Sequence, residues 1–158
     1  MTKAIYAGSF DPITNGHVDI INRAKGIFDF VYVAVSHNLN KTAFFTIDER
    51  ISLINGIFKD DPKVECNGLE GLLVDYAQKK GVSILIRGLR AVSDFDVEFQ
   101  MSLTNRELAP KIDTVFLMTD SKYSYLSSSL VKELVHLKAD IEDFVPSHVK
   151  DALKEKLK

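Results

Sequence analysis

Short apolar runs and amphipathic stretches alternate along this chain from end to end. Ala4-Ile5-Tyr6-Ala7 and Phe30 to Val35 are strand-length runs, and the second is too apolar to have a wet face, which suits a buried parallel strand. Val64-Glu65-Cys66, Ser83 to Ile86 and Thr114 to Met118 supply three more strands. Between them lie helical spacings. Ile20, Ile21, Ala24, Ile27 and Phe28 share a face of a helix starting near Gly16, and Ile47, Ile51, Ile54 and Phe58 form another behind the capping box Thr46 to Glu49. Asp60-Asp61-Pro62 stops that helix, and Leu72, Leu73, Tyr76 and Ala77 make a short one that Gly81 caps. Phe95, Phe99, Leu103 and Arg106 mark a helix that Pro110 closes. Leu130, Val131, Leu134 and Val135, then Val149, Ala152, Leu153 and Leu157 after Pro146, mark the last two. All these apolar faces are expected to be core.

Strict alternation of strand and helix predicts one α/β domain over residues 1–158. Its architecture is a Rossmann-like, doubly wound, five-stranded parallel sheet with right-handed crossovers and a C-terminal helical segment. Ligands bind at the carboxyl ends of such strands. Polar or glycine-rich residues follow four of them: Gly8 to Asp11, His37 to Lys41, Arg87 to Arg90 and Asp120 to Ser129.

Composition narrows the function. A formal charge of -2 and a pI near 6.1 disfavour a general nucleic-acid or membrane-surface binder, but not a local basic pocket. No run approaches the roughly 18 apolar residues of a spanning helix, and no charged leader precedes one, so the expected location is the cytoplasm. The single cysteine, Cys66, makes no internal disulfide and reads as packing; the acceptor pattern Asn40-Lys41-Thr42 has no meaning in such a chain.

The chemistry gathers at the strand ends. Gly8-Ser9-Phe10-Asp11-Pro12-Ile13-Thr14-Asn15-Gly16-His17 runs from a strand into a helix, whose unpaired first N–H groups and dipole favour an anion, with His17 as a further donor. Arg87-Gly88-Leu89-Arg90 directly follows the fourth strand and puts two guanidinium groups about a glycine, a fork suited to phosphate oxygens. Lys41 offers a mobile ammonium, Tyr123 to Ser129 offers hydroxyls and a helix start, and Glu98 offers a carboxylate to an adenosine hydroxyl or a basic neighbour. Neither G-x-G-x-x-G nor G-x-x-x-x-G-K-[ST] occurs, nor any hydrolase triad or H-E-x-x-H. A phosphate acceptor, mostly ionised at neutral pH, needs no strong base, so alignment and charge stabilisation carry the rate.

Three motifs, G-S-F-D-P-I-T-N-G-H (Gly8 to His17), I-R-G-L-R (Ile86 to Arg90) and Y-S-Y-L-S-S-S-L-V-K-E (Tyr123 to Glu133), resemble nucleotidyltransferases with an H-x-G-H or T-x-G-H signature. Within these the likeness is to the bacterial phosphopantetheine adenylyltransferases, end to end. The resemblance implies that ATP and 4'-phosphopantetheine yield dephospho-coenzyme A and pyrophosphate, with Mg2+ and without a covalent enzyme intermediate. It implies that His17 stabilises the transition state at the α-phosphate, with Lys41 and Arg90 also catalytic. Ser9, Phe10, Gly88, Leu89, Arg90, Glu98 and the run Tyr123, Ser124, Tyr125, Leu126, Ser127, Ser128 and Ser129 would contact ATP. Ser9, Lys41, Leu73 and Arg87 would contact phosphopantetheine. Asp11 would orient the site or a Mg2+ water, and no residue is assigned as a metal ligand. Homohexamers and feedback by coenzyme A are implied in the same way. The chain departs from the family at Ala7, Thr42 and Leu126, and Thr14 stands for the first histidine of H-x-G-H. Two other readings stay open: transfer to nicotinate mononucleotide or glycerol phosphate on the same fold, and a non-catalytic nucleotide-binding protein.

Overall fold

The computed structural model describes residues 1–37 and 42–158. Five strands, β1 (Lys3–Gly8), β2 (Phe30–Ser36), β3 (Val64–Leu69), β4 (Ile84–Leu89) and β5 (Asp113–Met118), form one parallel sheet in the order β3-β2-β1-β4-β5. The helices are α1 (Asn15–Ile27), α2 (Ile47–Phe58), α3 (Leu73–Lys80), α4 (Val92–Leu108), α5 (Ser128–His136) and α6 (Ser147–Lys156), with a 3-10 turn over Ser121–Tyr123. Among the described residues no helix is long and apolar enough to cross a membrane.

The predicted helix starts are largely those observed. Thr46 and Glu49 close a reciprocal capping box on α2, and Gly81 ends α3 with a left-handed φ of 65°. Alternation along the strands feeds two cores. Ala4, Tyr6, Val31, Val33, Val35 and Ile86 face α1, α2, α5 and α6, whereas Ile5, Ala7, Tyr32, Ala34 and Leu85 face α3. Cys66 packs against the first of these, and burial pushes its thiol up to about 12, which leaves it an inert packing group.

Three expectations change. β4 continues through Leu89, so Arg87, Gly88 and Leu89 are strand residues and not the loop after it. β3 likewise extends three residues past Cys66. The apolar stripe of α4 is not core: none of that helix is buried, and Phe95, Phe99 and Leu103 are 39%, 45% and 50% exposed. Phe95 stacks on Phe99 and meets Phe116 of the outer strand β5 edge-on, and both α4 rings stay exposed.

The order reverses direction between β1 and β4, and there the ladder opens. Register runs over six pairs between β1 and β2 but over two between β1 and β4, Ile5 with Leu85 and Tyr6 with Ile86. Beyond that point the strands part, which makes the crevice that a doubly wound sheet offers to a ligand.

Candidate active site

A cavity of about 480 Å³ fills the crevice, lined from β1, α1, β4, α4 and the start of α5. Its floor is made by close packing. The ring of Phe10 lies over Gly8, where a Cβ would come within 3.1 Å of it, and Gly88 leaves room for Ile20 and the Tyr6 hydroxyl. Phe10 itself has φ of 46°, a left-handed conformation that costs a non-glycine residue about 1–3 kcal/mol, held here by an almost wholly buried ring. That ring meets Tyr6 and His17 edge-on, at 5.3 and 5.1 Å.

His17 is fixed by Thr14. The Thr14 backbone N–H donates to His17 Nδ1 at 3.0 Å, while the His17 N–H donates to Thr14 Oγ1 at 3.4 Å, a capping box with histidine in the place of the usual glutamate. Because Nδ1 accepts, the ring proton sits on Nε2. Burial, then the guanidinium charges of Arg90 and Arg87, lower the imidazole from 6.5 to about 4, so His17 is a neutral Nε2–H donor at physiological pH. Not all of the first-turn donors are free, as the sequence had implied. The Asn15 N–H donates to the Phe144 carbonyl at 2.9 Å and the Asn15 side chain to that of Asp143, so the segment before α6 holds the helix start.

The two arginines of R-G-L-R are anchored differently. Arg87 makes a two-pronged ion pair with Glu98 on α4, both contacts at 2.6 Å, and reaches the Ala7 carbonyl. Arg90 forks onto Asp94 at 3.0 Å and donates to the Leu126 carbonyl at 3.1 Å, tying β4 to the loop before α5. On the far wall Ser127 caps α5 by accepting from the Leu130 N–H, and Ser128 Oγ donates to the Pro12 carbonyl at 2.7 Å, joining the first and third motifs.

Of the residues expected at the site, Ser9, Phe10, His17, Arg87, Gly88, Arg90, Glu98, Tyr123, Leu126, Ser127, Ser128 and Ser129 line the cavity. Leu89 is buried and does not line it, and Leu73 packs into the α3 layer. Ser124 ends the 3-10 turn, and Tyr125 is 57% exposed with its ring against Phe144; neither lines the cavity. Lys41 lies outside the described residues.

Arg50, which has no place in the motif reading, and Asp11 of the first motif complete the frame. Arg50, 2% exposed, donates to the carbonyls of Phe45, Ser9 and Ser36 at 2.8, 2.9 and 3.2 Å. It thus pins the ends of β1 and β2 to the start of α2. Asp11 accepts the Phe44 and Phe45 N–H groups, both at 2.8 Å, with Lys132 Nζ at 3.3 Å and Arg50 at 3.9 Å. Its task is to orient that segment. The pattern did carry a signal for Arg50, which falls on the apolar stripe of α2 between Ile47 and Ile54.

The cavity combines cations, hydroxyls and helix starts at a switch point of a parallel sheet, an arrangement that binds nucleotide phosphates. Residues 5–134 match the cytidylyltransferase-like family model, and the chain belongs to that family of nucleotidyltransferases. A phosphopantetheine adenylyltransferase from Alkaliphilus metalliredigens is 54% identical over 99% of both chains, and one from Dictyoglomus turgidum is 51% identical over 100% of this chain and 99% of its own. The fold is also that of the nicotinic acid mononucleotide adenylyltransferase of Plasmodium falciparum, with a TM-score of 0.70 at 16% identity over 99% of this chain and 94% of that one. Within its family, the chain is a member of the phosphopantetheine adenylyltransferases.

Proposed function

We propose that the protein transfers the adenylyl group of ATP to 4'-phosphopantetheine, giving dephospho-coenzyme A and pyrophosphate. A phosphate oxygen of the acceptor attacks the α-phosphorus of ATP, and the bond to the bridging oxygen of the β-phosphate breaks with its electron pair leaving on pyrophosphate. No group of the chain need become covalent. The observation that carries this reading is His17, which lines the cavity and whose Nδ1 accepts the Thr14 N–H, leaving the ring proton to Nε2. A neutral donor there meets charge that grows on the α-phosphate oxygens without repelling the nearby guanidinium groups. Arg90, fixed by Asp94 against Leu126, supplies the lasting positive charge on the nucleotide side, with the hydroxyls of Ser127 to Ser129 at the start of α5. Arg87 and Lys41 are assigned to the acceptor phosphate.

Mg2+ is proposed as the companion of ATP. The carboxylates lining the cavity are already engaged: Asp11 by backbone N–H groups, Asp94 by Arg90 and Glu98 by Arg87. Among the described residues no cluster of three metal-ligating side chains occurs. The described residues therefore offer the ion no ready ligand set, so the proposed Mg2+ is one that phosphate oxygens and water would hold. Assembly into homohexamers in the cytoplasm, with coenzyme A as a feedback ligand, completes the proposal; the uncovered apolar face of α4 supports association.

The test is pyrophosphate release from ATP with 4'-phosphopantetheine, nicotinate mononucleotide or glycerol phosphate supplied separately. Release with phosphopantetheine alone is expected. Release only with another acceptor, or with none, overturns the assignment.

A further inference from the structure

Tyr6 belongs to none of the three motifs, yet it stands where the sheet opens. It is the last residue of β1 paired to β4, opposite Ile86, and beyond it the strands part. The residue is 6% exposed and lines the cavity. Its hydroxyl reaches across to β4: a Cβ on Gly88 would lie 3.4 Å from it and 3.1 Å from Ile20, and Gly88 and Ile20 line the cavity too. The ring is met edge-on by Phe10, which braces His17 in the same way. The hydroxyl itself makes no hydrogen bond to any of the described residues. A polar group on a buried residue is normally paired, and phenylalanine would fill the same place on β1 and keep the contact with Phe10. An oxygen that gives the fold no bond, at the wall of a cavity, is the pattern expected of a group kept for a ligand. Its charge state suits one class of ligand. Burial raises the phenol above its usual range, Arg87 draws it down, Glu98 pushes it up and Arg90 draws it down, and the net rise keeps it neutral at working pH. A neutral O–H acted on by two guanidinium groups adds no negative charge to the site, and its natural partner there is an anionic oxygen.

Building on the adenylyl-transfer reading, we infer that the Tyr6 hydroxyl is a further catalytic donor, which reaches from the floor of the cavity to a phosphate oxygen of the bound substrates. Both substrates carry phosphate, and ligands with and without it tell the two sources apart.

Tyr6→Phe removes the hydroxyl and keeps the ring. The experiment compares wild type and variant by kcat and KM for each substrate with the other saturating, by calorimetric Kd for ATP, adenosine, 4'-phosphopantetheine and pantetheine, and by Tm. The variant's kcat/KM should fall about tenfold or more, the size of one hydrogen bond to a charged group. Its Kd should rise about tenfold for ATP with adenosine within about twofold, or for phosphopantetheine with pantetheine within about twofold, and the pair that splits names the phosphate. Its Tm should rise or stay within about 3 °C of wild type, because no bond within the fold is lost. Turnover within about twofold of wild type, affinity for both phosphate-bearing ligands unchanged, or an equal loss for the phosphate-free partner overturns the inference. A larger fall in Tm, failure to fold included, also overturns it, since the hydroxyl would then serve the fold. A wild-type protein that neither binds nor adenylylates phosphopantetheine overturns the functional reading itself, whereas an active wild type with an indifferent Tyr6→Phe overturns this inference alone.

Discussion

Arg50→Leu removes the buried cation that ties three segments of the site together. Leucine fills much of the space but leaves the carbonyls of Ser9, Ser36 and Phe45 without their donor, at contacts of 2.9, 3.2 and 2.8 Å in the native protein. Hydrogen bonds to charged groups contribute roughly 1.5–3 kcal/mol each, so three of them sum to about 4.5–9 kcal/mol before the gain from an added apolar side chain. A net loss of about 4 kcal/mol is a reasonable centre, because Asp11 keeps both backbone N–H groups and Lys132 and is not stranded as a lone buried charge. For a chain of this size each kcal/mol shifts Tm by about 2–4 °C, so thermal unfolding followed by circular dichroism should move down by roughly 8–16 °C. Arg50→Lys keeps the charge but reaches one carbonyl and should lie between. At a temperature where the variant is still folded, kcat/KM should fall about tenfold, since Ser9 lines the cavity and is held there by this clamp. A Tm within about 3 °C of wild type would refute the reasoning that these carbonyl contacts hold the frame.

Other consequences follow from the same geometry. His17→Ala should fold and lose on the order of 100-fold or more in kcat, and His17→Gln, which can present an amide N–H, should recover part of it; steady-state rates decide. Since folding lowers His17 to about 4 from 6.5, the unfolded chain binds the extra proton between those values, and stability falls as pH drops from 6.5 towards 4. Denaturant titrations should show that slope, at most about 1.4 kcal/mol per pH unit, shrink in His17→Gln, with the carboxylate contributions common to both proteins cancelling in the difference. Gly56→Ala places a Cβ 2.7 Å from His148 Nε2, which now donates to the Leu53 carbonyl, so the α2–α6 contact must shift. Stability should drop by about 1–3 kcal/mol with kcat unchanged, and an unaltered Tm would contradict the clash.

The fold was readable where helix ends and buried strands obey a local rule. Thr46 and Glu49 announce α2, Gly81 announces the end of α3, and the run Phe30 to Val35 has nowhere to lie but between other strands. The lining of the cavity was readable where its residues fall in contiguous motifs. It was not where a side chain acts across the fold: Lys132 meets Asp11 over 121 positions of sequence, and Arg50 meets Ser9 over 41. β4 ran past its expected end because Arg87 and Gly88 look like loop residues, yet both pair with β5 as strand. The stripe Phe95, Phe99, Leu103 misled in the other direction, since periodicity reports an apolar face but not whether the same chain covers it. Thr14 was legible only as a missing histidine; its positive role, setting the tautomer of His17, needed the capping geometry.

The most direct trial of direct adenylyl transfer uses ATP with a single sulfur in place of one α-phosphate oxygen, in one configuration, together with 4'-phosphopantetheine. One in-line displacement by the acceptor phosphate predicts a thio-substituted dephospho-coenzyme A with inverted configuration at phosphorus. Retention, which needs two displacements and hence a covalent enzyme intermediate, or failure to form that product while pyrophosphate is released, would contradict the account.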